Sequence, residues 1–285
     1  MENSFTVSPM IQKISLKAGE TYNGYITVSN PVSATEDFSF KVSLAPYSVS
    51  NDNYKVDFEH MSDWSRIVEW TELDTTKGTL KPNDKARISF TINVPEDAPA
   101  GGQYLMLAVS SDDTISGTSS ASIKNIYEMG SLVFAEIEGE TKHEGLVQEN
   151  YVPGFVATGV PSTQITLKND GNVHETAKTK IQIKNLLTGE NYNLTNDGEN
   201  TYETIVMPGT TRTVTRELEN LPQVGIFEVT QSVSYLDSDS GTVVTMVICP
   251  IWFMALVLGV IISIIGMVCY GIHLKRKKAK KTIAI

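Results

Sequence analysis

The sequence predicts an all-β protein built as two tandem immunoglobulin-like β-sandwich domains followed by a single transmembrane α-helix. Short runs of alternating, β-branched residues recur between turn clusters over the first 250 residues. No sustained 3.6-residue pattern interrupts them, apart from a turn or two around Phe58 to Ile67. One long apolar segment then lies near the C-terminus. The composition, 41% hydrophobic, 8% aromatic and 20% charged over 285 residues, supports real cores. It excludes an intrinsically disordered chain, a disulfide-stapled mini-domain and a highly basic nucleic-acid binder.

The strand-like runs in the first half are Tyr25 to Val28, Phe38 to Leu44, Ala86 to Val94, Tyr104 to Val109 and Ser131 to Ile137. Turn residues separate them, as in Lys17-Ala18-Gly19-Glu20, Asn30-Pro31, Lys81-Pro82-Asn83-Asp84 and Pro99-Ala100-Gly101-Gly102. Residues 1–138 therefore read as the N-terminal sandwich, with Trp70 in its core. The polar stretch 139–150 (GETKHEGLVQEN) reads as an interdomain linker. Residues 151–248 read as a second, membrane-proximal sandwich, from the runs Ile165 to Leu167, Lys180 to Ile183, Thr211 to Thr215 and Phe227 to Tyr235. Asn169-Asp170-Gly171 and Asn196-Asp197-Gly198 supply its turns.

Residues 251–274 contain no Asp, Glu, Lys or Arg. As a helix they would be about 36 Å long, enough to cross a hydrocarbon core of roughly 30 Å. Lys275, Arg276, Lys277, Lys278, Lys280 and Lys281 follow at once in the tail, 275–285. They read as a membrane-surface anchor on anionic lipid and place the tail in the cytoplasm. The formal net charge of −10 is thus two quantities: residues 1–250 carry 17 Lys+Arg against 33 Asp+Glu, a net of −16, and residues 251–285 carry +6. The expected localisation is a single-pass plasma-membrane protein with both sandwiches outside. The opening MENSFTVSPM has neither a basic n-region nor an apolar h-region, so a mature or trimmed form is expected. Both cysteines, Cys249 and Cys269, lie at or inside the span, and an exported β-protein without a disulfide fits a bacterial surface. Ala255, Gly259 and Ser263 recur every four residues, a stripe that would let two spans approach closely and self-associate.

Three stretches carry a family resemblance. Phe5-Thr6-Val7-Ser8-Pro9, with Ile14 to Gly19 and Ile26-Thr27-Val28-Ser29-Asn30-Pro31, resembles the first strands of the WxL-interacting proteins of bacterial surfaces. Val94-Pro95 and Ala98-Pro99-Ala100-Gly101-Gly102-Gln103-Tyr104 look like the proline-rich turn and late strand of the same domain. Leu167-Lys168-Asn169-Asp170-Gly171-Asn172-Val173-His174, Ile181-Gln182-Ile183, Met207-Pro208-Gly209 and Gly225-Ile226-Phe227 resemble the membrane-proximal domain that follows it. The resemblance implies a first domain associated with peptidoglycan, a second with host or matrix ligands, and WxL proteins as partners.

Catalytic chemistry finds no motif. His60, His143, His174 and His273 are scattered, and neither a GxSxG elbow nor a phosphate-binding glycine loop is present. We expect no enzyme, no cofactor and no nucleic-acid partner. Asp112-Asp113 and Asp237 with Asp239 are candidate Ca²⁺ pairs, but the EF-hand spacing is lacking. His174 is expected to pack over its turn or to meet Glu175. Trp64, among Asp63, Ser65 and Arg66, is the candidate exposed contact, forming with Tyr47 and Tyr54 an aromatic platform for a sugar or protein. The expected function is a non-catalytic, membrane-anchored bacterial surface protein that binds cell-wall or surface-protein partners, in adhesion or presentation. The alternative is an accessory scaffold subunit of an envelope or secretion complex. Membrane lipid, peptidoglycan or a surface protein are the expected partners.

Overall fold

A computed structural model describes residues 5–50, 54–111, 128–194 and 200–282, the side chains of 273–282 excepted. In chain order the strands are β1 (Thr6–Ser8), β2 (Ile11–Leu16), β3 (Thr21–Ser29), β4 (Phe38–Pro46), β5 (Ser48–Val49), β6 (Val56–Asp57), β7 (Thr71–Leu73), β8 (Lys77–Leu80), β9 (Lys85–Asn93) and β10 (Gly101–Ser111). They continue as β11 (Glu128–Ile137), β12 (Gly145–Tyr151), β13 (Phe155–Val156), β14 (Ser162–Asn169), β15 (Glu175–Asn185), β16 (Asn191–Tyr192), β17 (Thr201–Val206), β18 (Thr211–Glu217), β19 (Gly225–Tyr235) and β20 (Ser238–Ile248). One helix, α1 (Ile251–Thr282), closes the chain. The described protein is therefore all-β up to α1, with sheets packed as an immunoglobulin-like sandwich.

The chain divides into two compact units. The first comprises Met1–Leu146 with the turn segments Leu167–Thr176 and Ile205–Thr213; the second comprises Val147–Thr166, Ala177–Thr204 and Val214–Ile285.

In the first unit a four-stranded sheet, β1-β3-β9-β7, faces a five-stranded sheet, β2-β11-β10-β4-β8. Period-two alternation builds the core between them: β9 buries Ile88, Phe90 and Ile92 and exposes Lys85, Arg87 and Asn93. Ile26, Val28, Phe40, Leu105, Leu107, Val109, Val133 and Ile137 fill the rest. The first strand serves both sheets. β1 runs antiparallel to β3 with Val7 opposite Val28, and after Pro9 β2 runs parallel to β11 with Ile14 opposite Ala135. Pro9 has no N–H to offer either ladder, which suits the changeover. Gly24 on β3 lies directly opposite Phe90, and a Cβ there would overlap the Phe90 ring.

In the second unit β19 and β20 pair along their full length, and β15 pairs with β19 from Lys178↔Ser234 to Asn185↔Phe227. The sheet runs β13-β20-β19-β15-β16, with β17 also on β15. Ile181, Ile183, Phe227, Val229, Met246 and Ile248 form its core with Val152 and Leu218.

Three local expectations change. Residues 145–150, read as linker, belong to strand β12. It exposes Leu146 and Tyr151 and half-buries Gly145, Val147 and Asn150, which hides the alternation. The Ile67-Val68 run before Trp70, strand-like in sequence, lies in a 3-10 turn, Arg66–Val68, whose Ile67 is fully buried. Trp70 packs against the core from the partly buried rim.

Gly24→Ala should destabilise the first unit by about 1–3 kcal/mol, because the fully buried Phe90 ring has nowhere to retreat. Gly241→Ala, whose added Cβ meets nothing, should stay within about 0.5 kcal/mol. Denaturant midpoints of the two variants decide it.

Candidate functional site

Strand β10 is buried at every position from Gly101 to Val109, on both faces. One face is the sandwich core. The other carries Tyr104 beside Phe134 of β11, under an aromatic cluster with Val49 and Met207. Tyr47, Tyr54, Trp64, Leu132 and Ile205 ring it, partly buried. The structure thus brings together the three aromatics singled out in the sequence, wrapped around the turn segment Ile205–Thr213 of the same unit instead of standing open as a flat platform. The Tyr54 hydroxyl donates to the Ile205 carbonyl at 3.0 Å and accepts the Met207 N–H at 2.9 Å. Arg212 lies 4.5 Å over the Tyr54 ring. Burial raises the pKa of the Tyr47 and Tyr54 hydroxyls against the opposing pull of Arg212. Trp64 faces Gly209, and its carbonyl accepts the Tyr104 N–H at 2.7 Å. Its Nε1 is buried with no hydrogen-bond partner among the described residues. The unbroken apolar run Tyr104 to Val109 was the sequence signal for this second buried face.

Tyr104 also explains His174. The Tyr104 hydroxyl accepts the His174 backbone N–H at 2.8 Å and shares a second hydrogen bond with His174 Nδ1 at 3.1 Å. The imidazole stands edge-on to Tyr104 and to Phe134, with ring centroids at 5.6 and 5.0 Å. Gly102 makes room, since a Cβ there would overlap the Tyr104 hydroxyl. The turn carrying His174 is held by Asn172, whose side-chain amide donates to the Ala100 and Glu140 carbonyls at 3.1 and 3.0 Å. Glu175 is met by His143, at 2.6 Å, and not by His174. Burial, with a smaller push from Lys13, lowers the His174 pKa to about 4.

The second unit offers a different feature. Strand β20 is paired on one side with β19 from Gly225↔Ile248 to Tyr235↔Ser238. On its other side β13 joins it only at Val247 and Ile248. Among the described residues no strand pairs with residues 238–246 there. Asn150 reaches that stretch: its amide donates to the Ser240 carbonyl at 3.1 Å and to the Ser240 hydroxyl at 3.2 Å, and the Thr242 hydroxyl donates to the Asn150 carbonyl at 3.0 Å. The stretch is about 30 Å of strand at the usual rise. It reads SDSGTVVTM, with no Pro, Lys or Arg, and Val243 is 64% exposed. Protected edges normally carry a charge, a proline or a bulge.

Helix α1 is long and apolar enough to cross a membrane over Ile251–Ile272, and none of that window is buried in the protein. Ala255, Gly259 and Ser263 lie on its surface, and the Ser263 hydroxyl donates to the Gly259 carbonyl at 2.8 Å within the same helix. The helix backbone continues past Lys275, Arg276, Lys277, Lys278, Lys280 and Lys281, whose side chains lie outside the described residues. Asp112-Asp113 lies outside them as well. Asp237 and Asp239 are exposed at the β19–β20 turn, and no group of three metal-ligating side chains occurs among the described residues.

No family model and no curated protein matches the chain. Solved structures do. The class 5 fimbrial chaperone CfaA matches at 12% identity and a TM-score of 0.43, covering 85% of this chain and 99% of that one. The chaperone–tip subunit pre-assembly complex of the Csu pili of Acinetobacter baumannii matches at 13% and 0.41, covering 85% and 98%. The E. coli chaperone DraB matches at 9% and 0.40, covering 85% and 96%. At these identities the likeness concerns fold alone. It nevertheless corrects the expected function: neighbours that are fimbrial chaperones overturn the reading as a membrane-anchored adhesin or presenter for cell-wall or surface-protein partners. The alternative scaffold subunit does not fit them either, and both are set aside.

Two variants test the Tyr104–His174 pair. Tyr104→Phe strands the His174 N–H and Nδ1 and should cost about 1–2 kcal/mol. Because His174 has a pKa near 4 when folded and an ordinary value near 6.5 when unfolded, the unfolded chain takes up a proton that the folded chain refuses between those values. Stability should therefore be full above the upper value and decline as pH falls toward the lower one. His174→Asn, which keeps an acceptor for Tyr104 but does not titrate, should flatten that decline in a series of thermal melts.

Proposed function

We propose that this chain is a non-catalytic polypeptide-binding protein, with two sandwiches in tandem held at a membrane by α1, that takes an extended partner segment along the open edge of β20. The observation that carries the reading is the stretch 238–246, which no strand pairs on one side among the described residues and whose single charge, Asp239, stands at its turn end. An added strand would gain main-chain hydrogen bonds along the edge, and alternate side chains such as Val243 and Thr245 would select its sequence. In this reading α1 crosses the bilayer with its basic end in the cytoplasm, as the positive-inside rule directs. The edge then ends just above the membrane, because only Cys249 and Pro250 separate Ile248 from the first residue of α1.

A photo-crosslinking residue at Val243 of the full chain, made in its own cells, should yield a discrete adduct with one polypeptide, and the same residue at Lys85 on β9 should not. Thr245→Lys introduces an edge charge at an exposed position. It should leave stability within about 0.5 kcal/mol while abolishing the Val243 adduct. No position-specific adduct, or one indifferent to Thr245→Lys, would sink the strand-addition reading.

A further inference from the structure

At the base of the second unit, where β20 passes into α1, two loops enclose an open cleft of about 560 Å³. Residues 156–161 form one wall, residues 218–223 the other, and Pro250 and Trp252 the floor. Trp252 is the second residue of α1 and 56% exposed, within a turn of the start of the apolar window at Ile251. If α1 spans a bilayer, the cleft stands at the height of the outer headgroups, where tryptophan rings concentrate. The material available to fill it there is lipid headgroup.

The lining says which kind. Between Gly154 and Pro161, and between Glu217 and Gly225, the chain has no Lys or Arg, and its only charges are Glu217 and Glu219. A phosphate-bearing anion in the cleft would meet the Glu219 carboxylate and no cation, which disfavours it. Thr158, Glu219, Asn220 and Gln223 all line the cleft, and none makes a side-chain hydrogen bond among the described residues. Four turn amides elsewhere among the described residues are spent. Asn169, Asn172, Asn185 and Asn200 each bond to neighbouring backbone. The cleft thus collects amide, carboxylate and hydroxyl groups that lack an internal partner, beside the apolar surfaces of Leu221, Val160 and Trp252. Amides and a carboxylate can accept and donate to adjacent hydroxyls, and an indole face accepts the C–H face of a sugar ring. Asn220 sits at φ 62, a left-handed turn position that glycine also adopts.

We infer that this cleft binds the neutral sugar headgroup of a membrane glycolipid, seating the second unit on the bilayer. The inference rests on the membrane-spanning reading of α1 and is independent of strand addition at β20.

The test uses the full chain reconstituted into vesicles of phosphatidylcholine alone, or with a minor fraction of monoglucosyl-diacylglycerol or of phosphatidylglycerol. Lipids retained after gentle detergent extraction are quantified by mass spectrometry. The glucosyl lipid should be enriched about tenfold over phosphatidylcholine, the scale of one or two net hydrogen bonds, and phosphatidylglycerol should not. Glu219→Gln with Gln223→Ala should bring the enrichment back to the phosphatidylcholine level. Asn220→Gly, which keeps the backbone turn, should reduce it, and Lys180→Ala on the far strand β15 should leave it unchanged. Equal retention of all three lipids, preference for phosphatidylglycerol, or enrichment that survives the cleft variants would overturn the inference. Alkaline carbonate extraction separates the two readings. A chain washed out of every vesicle defeats the membrane span and the cleft together, whereas a chain that resists extraction but shows no lipid preference defeats the cleft alone.

Discussion

Every backbone N–H and C=O of a β-sandwich needs a partner, and the strand edges are where the demand is hardest to meet. The first unit meets it by sharing. Its leading segment pairs with β3 before Pro9 and with β11 after it, so each sheet gains an edge partner from one stretch of chain. It also covers a sheet face that a free-standing sandwich would leave wet. Tyr104, Phe134 and Met207 close over β10, and the polar atoms drawn inside with them are paired: the Tyr104 hydroxyl with His174, the Tyr54 hydroxyl with Ile205 and Met207. Among the described residues the second unit leaves nine residues of β20 without a strand on one side.

What was legible in the sequence follows from how periodicity encodes burial. Strands with one wet face, such as β9 and β15, alternate cleanly and are readable from residues alone. β12 is not, because it exposes Leu146 and Tyr151 and turns Gly145 and Asn150 inward with Val147. The region around Trp64 misleads for the opposite reason. Its neighbours Asp63 and Arg66 are exposed and pair with each other at 3.3 Å, while Trp64 between them turns inward. Local polarity reports the neighbours and not the ring. Nothing local marks Met207 or Arg212 as the other half of that cluster, since they are separated from Trp64 by more than a hundred residues. His174 shows the same limit. Its turn is visible as Asn169-Asp170-Gly171, whereas its partner is set by β10.

The expected adhesive function was drawn from anchoring and a presumed aromatic platform. The platform's rings are engaged in holding the segment Ile205–Thr213, and the surfaces with unspent hydrogen-bonding capacity lie elsewhere, on the β20 edge and in the loops beside Trp252. Unsatisfied capacity is a better guide to binding than aromatic content. A ring fills space equally well in a core or at an interface, but a polar group left without an internal partner is paired only by water or by a ligand.

The same criterion separates the two surfaces by the ligand each can take. The β20 edge presents backbone groups at a fixed strand spacing, which another extended polypeptide matches along its whole length and a small solute matches at one or two points. The basal loops present side chains that converge from two directions onto a concave surface, which a compact hydroxylated group can fill and an extended strand cannot. Charge sharpens the division. With −16 over residues 1–250, the exposed parts of the chain repel anions in general, and the +6 of the last 35 residues is confined beyond the start of α1. A polyanion would therefore meet a net negative charge over residues 1–250, where 17 Lys and Arg are outnumbered by 33 Asp and Glu. A neutral sugar and an uncharged strand meet no such barrier, and the chemistry of each surface matches one of them.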